Sequence, residues 1–163
     1  MIRLLSLGVM MALVADGGSP PADAFEQLKS LAGEWQADFP GFGRITSSIR
    51  LVSNGTALEE TIGTPADNEV SIYSRSDSAV LLTHVCALTP GGHVVRLRTG
   101  QLPGGPPRVL EFLLVDSSNL HGREAPHMRR VVLTFIDGNH FSERWTRSEG
   151  DKDTVIELNF VRR

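Results

Sequence analysis

Only one cysteine, Cys86, is present in the chain, so no intrachain disulfide can hold the fold together. Positive charge is not in excess either. Sixteen Lys and Arg against 19 Asp and Glu leave a net charge of −3, and no large basic face is available to neutralise a phosphate backbone. Aromatic residues make up 6% of the chain, and its two tryptophans read more simply as core or barrel-closing residues than as stacking platforms for bases. Both absences speak against nucleic-acid binding. There is no apolar run of the roughly 20 residues that a membrane-spanning helix requires. The chain also lacks a G-x-S-x-G elbow, a Walker-type loop, and C-x-x-C, H-x-H or H-E-x-x-H spacings. Gly41-Phe42-Gly43 has neither a third glycine nor a β-α-β context, so it reads as a turn.

What is present starts with a leader. Arg3 precedes the apolar stretch Leu4–Ala15, interrupted only by Ser6 and Gly8. Asp16-Gly17-Gly18-Ser19-Pro20-Pro21 cannot continue a helix, and Ala22-Asp23-Ala24 follows as an A-x-A pattern of small residues. That order is the pattern of a secretory signal peptide. The expected organisation is therefore a signal peptide over 1–24 and one domain over 25–163, exported to the periplasm or secreted. Stable membrane insertion is not expected after cleavage. A length of 163 residues fits one domain plus a processed segment.

Phe25, Leu28 and Leu31 lie three apart and predict a short amphipathic helix closed by Gly33. Beyond it the hydrophobic period becomes two. Strands are expected over 33–38, 45–52, 56–62, 70–75, 79–87, 93–99, 108–115, 127–136, 140–147 and 154–161. Asn54-Gly55 is the strongest hairpin signal, and Thr89-Pro90-Gly91-Gly92 and Asp137-Gly138-Asn139 carry turn chemistry of their own. Short connections between neighbours imply antiparallel order. Closing such a meander into a barrel removes its edges. The expected fold is all-β: an antiparallel up-and-down barrel of about 8–10 strands with a short N-terminal helix. A two-sheet sandwich has the same periodicity and stays open as the competing architecture.

Several short runs resemble a known group. Leu31-Ala32-Gly33-Glu34-Trp35, a helix leading into G-x-W, looks like the entry of lipocalin-type and fatty-acid-binding-type barrels. Thr83-His84-Val85-Cys86, His127-Met128-Arg129-Arg130 and His140-Phe141-Ser142-Glu143-Arg144-Trp145-Thr146 are similar to motifs of an uncharacterised group of bacterial lipocalin-like (calycin-type) proteins with a T-H-x-C motif. The resemblance spans most of Leu28 to Arg162. It implies a barrel with a candidate pocket and no established activity. Val85 stands where that group has Tyr, and Arg129 and Arg147 replace its second His and second Trp.

In Val80–Ala87 alternation sets Val80, Leu82, His84 and Cys86 on one face, against Leu81, Thr83 and Val85. Both faces are apolar, so cover on both sides is expected at this end. A strand histidine is either a structural residue bonded to a neighbour or a proton shuttle and ligand. Glu59 and Glu60 face opposite ways, so one points inward. The functional reading is a polar floor of Glu60, His84, Arg96 and Arg144 that orients a ligand head group, with His127 as a further contact. The bland alternative leaves Arg96 on the outer surface, as expected for Arg98, Arg129 and Arg147.

These residues support three hypotheses. In the first, the barrel carries or sequesters a small hydrophobic or amphipathic molecule in a cavity lined by residues such as Val80, Leu82, Val95, Leu97, Phe112, Leu133 and Phe135. In the second, it binds haem or metal as nitrobindin-type barrels do, through His84 or His127, or through His84 and Cys86 at i, i+2. In the third, it is an enzyme with His84 as general acid–base and Glu60 as its orienter. The residues specify no cofactor and no oligomeric state.

Overall fold

The computed structural model describes residues 23–87, 92–100, 107–120, 122 and 124–163. One helix and ten strands follow in chain order: α1 (Ala24–Lys29), β1 (Gly33–Phe39), β2 (Gly43–Val52), β3 (Ala57–Gly63), β4 (Asn68–Ser76), β5 (Ala79–Cys86), β6 (His93–Thr99), β7 (Val109–Ser118), β8 (His127–Asp137), β9 (His140–Glu149) and β10 (Lys152–Arg162). Each strand pairs antiparallel with its sequence neighbours. The ring closes where Trp35 and Gln36 of β1 pair with Arg162 and Val161 of β10. The fold is thus a closed up-and-down barrel rather than a sandwich. Most expected strand boundaries lie within two residues of those observed. The exception is β7, which runs three residues past Val115 to Ser118, beyond a register shift between Arg96 and Leu97 of its partner.

Alternation decides which side chains enter the lumen. On β5, Val80, Leu82, His84 and Cys86 are buried while Val85 is exposed and Leu81 and Thr83 are half-buried. Cover on both faces of this strand, expected from its composition, is therefore not found at Val85. A hydrophobic outer face is tolerated there because a barrel strand has no free edge to protect. The turn at Ser53–Gly55 has positive φ at Ser53 (50°), Asn54 (57°) and Gly55 (81°), the left-handed region that tight hairpins use.

One end of the barrel is sealed. Helix α1 is too short to stand alone, and its formation depends on burying Phe25 and Leu28, together with Leu31 beyond it. Asp23 caps it by accepting from the Glu26 N–H at 2.9 Å, and Arg75 bonds to both Asp23 and Glu26. Residues 1–22, the body of the expected leader, lie outside the described residues. The expected cleavage point after Ala24 falls just inside α1.

Trp35, fully buried, donates its indole N–H to the Leu31 carbonyl at 2.7 Å and meets Phe141 edge-on at 4.7 Å. The Arg162 guanidinium lies 4.0 Å from the Trp35 ring and donates to the Ala32 and Ser30 carbonyls, tying β10 to the segment that leaves α1. Between this plug and the lumen sits a cavity of about 10 Å³ lined by Leu28, Leu31, Ile49, Leu58, Tyr73 and Leu133. It has room for about one water.

At the opposite end, Gly63 closes β3 with φ +135°, where an added Cβ would lie 2.3 Å from the Asp67 carbonyl oxygen. Gly63→Ala is expected to cost about 2 kcal/mol, from the strained φ and the backbone overlap together. A urea titration with an unchanged midpoint would contradict this.

Candidate functional site

The end away from α1 is formed by the β1–β2, β3–β4, β5–β6, β7–β8 and β9–β10 connections, and we call it the mouth. Sheet register builds a polar patch just inside it. Glu60, Ser71, His84 and Val95 stand side by side on β3, β4, β5 and β6, all buried. One step closer to the mouth, Ile62 pairs with Glu69 and Cys86 pairs with His93. His127 opens β8 at the same end, half-buried, with Nδ1 2.9 Å from the Ala125 carbonyl.

Side chains also reach in from the far wall. Glu143 and Trp145 are buried on β9, which lies nearly opposite β3 in the strand order. Glu143 and Glu60 come within hydrogen-bonding reach of each other. Ser47 donates to Glu60 at 2.6 Å, Tyr73 donates to it at 2.9 Å, and the Trp145 indole donates to Glu143 at 2.8 Å. Burial pushes the Glu143 carboxyl well above the usual range, and the charge of Glu60 adds to that. Burial raises Glu60 as well, opposed by the bonds from Ser47 and Tyr73. Two carboxylates in contact inside a barrel cannot both ionise cheaply, so the pair retains a proton. Glu143 Oε1 is buried and has no hydrogen-bond partner. Burial and the neighbouring acids also hold the Tyr73 phenol far above its ordinary value, so it remains a donor.

The chain of contacts continues toward the mouth. Ser71 Oγ lies 3.0 Å from His84 Nδ1, and the Trp145 ring packs against the imidazole with centroids 4.6 Å apart. His84 Nε2 approaches Glu69 Oε2 at 3.3 Å but without the alignment of a hydrogen bond. Glu69 Oε1 accepts from the Cys86 thiol at 3.3 Å and from the Ala87 N–H at 2.9 Å. Burial alone would raise Glu69, but the adjacent His84 imidazole and the bonds from the Ala87 N–H and the Cys86 thiol outweigh it and hold the carboxyl below its usual value. At neutral pH it is a carboxylate. His93 is pushed down by burial and by the nearby imidazoles of His84 and His127.

The structure brings together only part of the expected polar floor. Glu60 and His84 are brought together inside the lumen. Arg96 is exposed and bonds Asp116 on the outer surface, and Arg144 is exposed as well. Strand geometry requires this, since Val95 and Leu97 face inward around Arg96, and Glu143 and Trp145 face inward around Arg144. Nor does a hydrogen bond join Glu60 to His84, as the acid–base reading expects. The two imidazole nitrogens of His84 face Ser71 and Glu69, while the oxygens of Glu60 serve Ser47 and Tyr73.

Of the residues expected outside, Arg129 pairs with Asp153 on the surface. Arg147 is partly buried opposite Met128, with Nε out of contact with solvent. The residues expected to line a cavity are all buried. At this level, however, Glu60–Glu143, His84–Trp145 and Tyr73–Phe112 contacts fill the lumen with side chains.

Sequence reasoning missed Glu69 and Glu143. Extending the expected β4 by one residue would have put Glu69 in phase with Ser71 and Tyr73, and an inward Trp145 would have carried Glu143 with it.

Neither the protein-family models nor the curated proteins contain a match to this chain. No helix among the described residues is long and apolar enough to cross a membrane.

Proposed function

We propose that this barrel binds a small amphipathic molecule at its mouth, with the Glu69–His84 patch recognising the polar end. One observation carries the reading. A fold sealed at one end by α1 and Trp35 holds, beneath the other, an ionised Glu69 and a buried imidazole whose Nε2 lacks a hydrogen bond. Buried polar atoms are ordinarily satisfied, and a bound polar group beside Glu69 would satisfy this one. The buried residues described include acids and imidazoles but no Lys or Arg, so the favoured polar group is a donor or a cation, such as an amine. Ile62, Val95 and Trp145 are buried beside this patch and supply apolar surface that suits a ligand with a short hydrocarbon body. The packed middle of the lumen favours a small ligand over a bulky one.

The lipocalin-like resemblance and the leader pattern fit a barrel that meets its ligand outside the cytoplasm, and export is part of the same proposal. Haem on His84 is less well supported. Iron on Nε2 would set the macrocycle across the position of Glu69.

Native mass spectrometry against a panel of short-chain amines, alcohols and fatty acids tests the reading. The amines are expected to be retained, and Glu69→Gln to weaken them by about 10-fold or more, the value of one charge-assisted bond. Failure to retain any member of the panel, or equal retention by Glu69→Gln, would count against it.

A further inference from the structure

We infer that Glu69, His84 and Cys86 form a binding site for a thiophilic divalent transition metal such as zinc. Their donor atoms all lie within 4.8 Å of one another, and two contacts, His84 Nε2 to Glu69 Oε2 and Cys86 Sγ to Glu69 Oε1, already measure 3.3 Å. Donors about 2.0–2.3 Å from a tetrahedral ion stand roughly 3.3–3.8 Å apart, so a small inward movement of the third contact completes the geometry. The independent observation is His84 Nε2 itself. It is almost wholly buried, lies 3.3 Å from Glu69 Oε2 and within 4.8 Å of Cys86 Sγ, and makes no hydrogen bond.

Fold and chemistry agree. Cys86 and His84 are two apart on β5 and so share the inward face, and Glu69 faces them from the adjacent β4. Ser71 Oγ can accept from His84 Nδ1–H, the tautomer that leaves the Nε2 lone pair free for a metal. A sulfur–nitrogen–oxygen set selects zinc-like ions over magnesium or calcium, which prefer all-oxygen sites. On binding, the Cys86 thiol releases its proton to solvent as the sulfur–metal bond forms. Thiolate and carboxylate together then match the charge of the dication. Three protein donors leave the fourth position for water or an incoming ligand, the arrangement of exchangeable rather than purely structural sites.

The inference shares the mouth with the ligand proposal but rests on these donors alone. Its test is a titration of the reduced, chelator-treated, full-length protein with Co²⁺ and no organic ligand. One equivalent should bind with a thiolate-to-cobalt charge-transfer absorption. Cys86→Ser should abolish that absorption, and Glu69→Gln should weaken binding about 10-fold or more while the circular dichroism of both variants stays native. Binding without the absorption, binding unchanged in Cys86→Ser, no binding, or displacement by excess Mg²⁺ would each overturn the inference. A protein that takes cobalt but none of the amphiphiles refutes only the ligand proposal. The reverse result refutes only the metal site.

Discussion

Trp35→Ala is expected to destabilise the barrel by about 3–5 kcal/mol, lowering the thermal midpoint by roughly 10 °C. The side chain is fully buried, and three separate interactions end on it. Its indole N–H satisfies the Leu31 carbonyl at 2.7 Å, its ring edge meets Phe141, and the Arg162 guanidinium covers its face at 4.0 Å. Truncation leaves a cavity, a buried carbonyl without its donor, and an arginine that has lost the surface it packs on. Trp35 also lies where β1 and β10 close the ring, opposite Arg162, so the same change loosens the seam. Trp35→Phe keeps most of the volume and is expected to cost only about 1–2 kcal/mol, mainly from the lost hydrogen bond. Urea denaturation of both variants checks the order. An alanine variant within 1 kcal/mol of wild type would mean that the plug is not a structural element.

The second large effect concerns the carboxyl pair. Glu60→Ala removes the acceptor for both Ser47 and Tyr73 and the partner of Glu143, all inside the lumen. A loss of about 3–5 kcal/mol is expected, the usual consequence of stranding one half of a buried polar network. Glu143→Gln should act in the opposite direction. The folded pKa values of the pair are raised by burial, so the folded state retains a proton that the unfolded chain gives up above the ordinary value of 4.5. Stability from this pair is therefore undiminished below that value and falls as pH rises toward the folded values. An amide at position 143 is neutral at every pH and can donate to Glu60 in place of the shared proton. Glu143→Gln is thus predicted to be more stable than wild type at pH 8, by about 1 kcal/mol or more, and indistinguishable at pH 4. Parallel stability-against-pH curves for the two proteins would contradict the shared proton.

Much of the fold was legible because strand alternation and turn chemistry are local. Ten periodic runs, short separators and Asn54-Gly55 specify an antiparallel meander, and the Gly33-Glu34-Trp35 entry marked the residue that seals one end. Inward and outward assignments were legible too, wherever the alternation was applied consistently. Placing Arg96 inside conflicted with Val95 and Leu97, and placing Arg144 inside conflicted with Trp145. The lumen's contents were not legible, because a period of two says which way a side chain points and not how far it reaches. That Glu143 crosses to Glu60, or that Trp145 packs against His84, depends on how the closed barrel brings opposite walls together. Glu69 was hidden for a simpler reason. It lies 15 residues from His84, and only the β4–β5 register makes them neighbours.

The two tryptophans provide the most direct test of where the barrel binds. Trp145 touches His84 near the mouth, while Trp35 is sealed under α1 at the other end. In ¹⁵N-indole spectra of the protein titrated with short-chain amines, the Trp145 resonance should shift saturably while that of Trp35 stays in place. A shift at Trp35 alone, or retained amine with neither resonance moving, would show that the mouth and its His84–Glu69 patch are not the binding site.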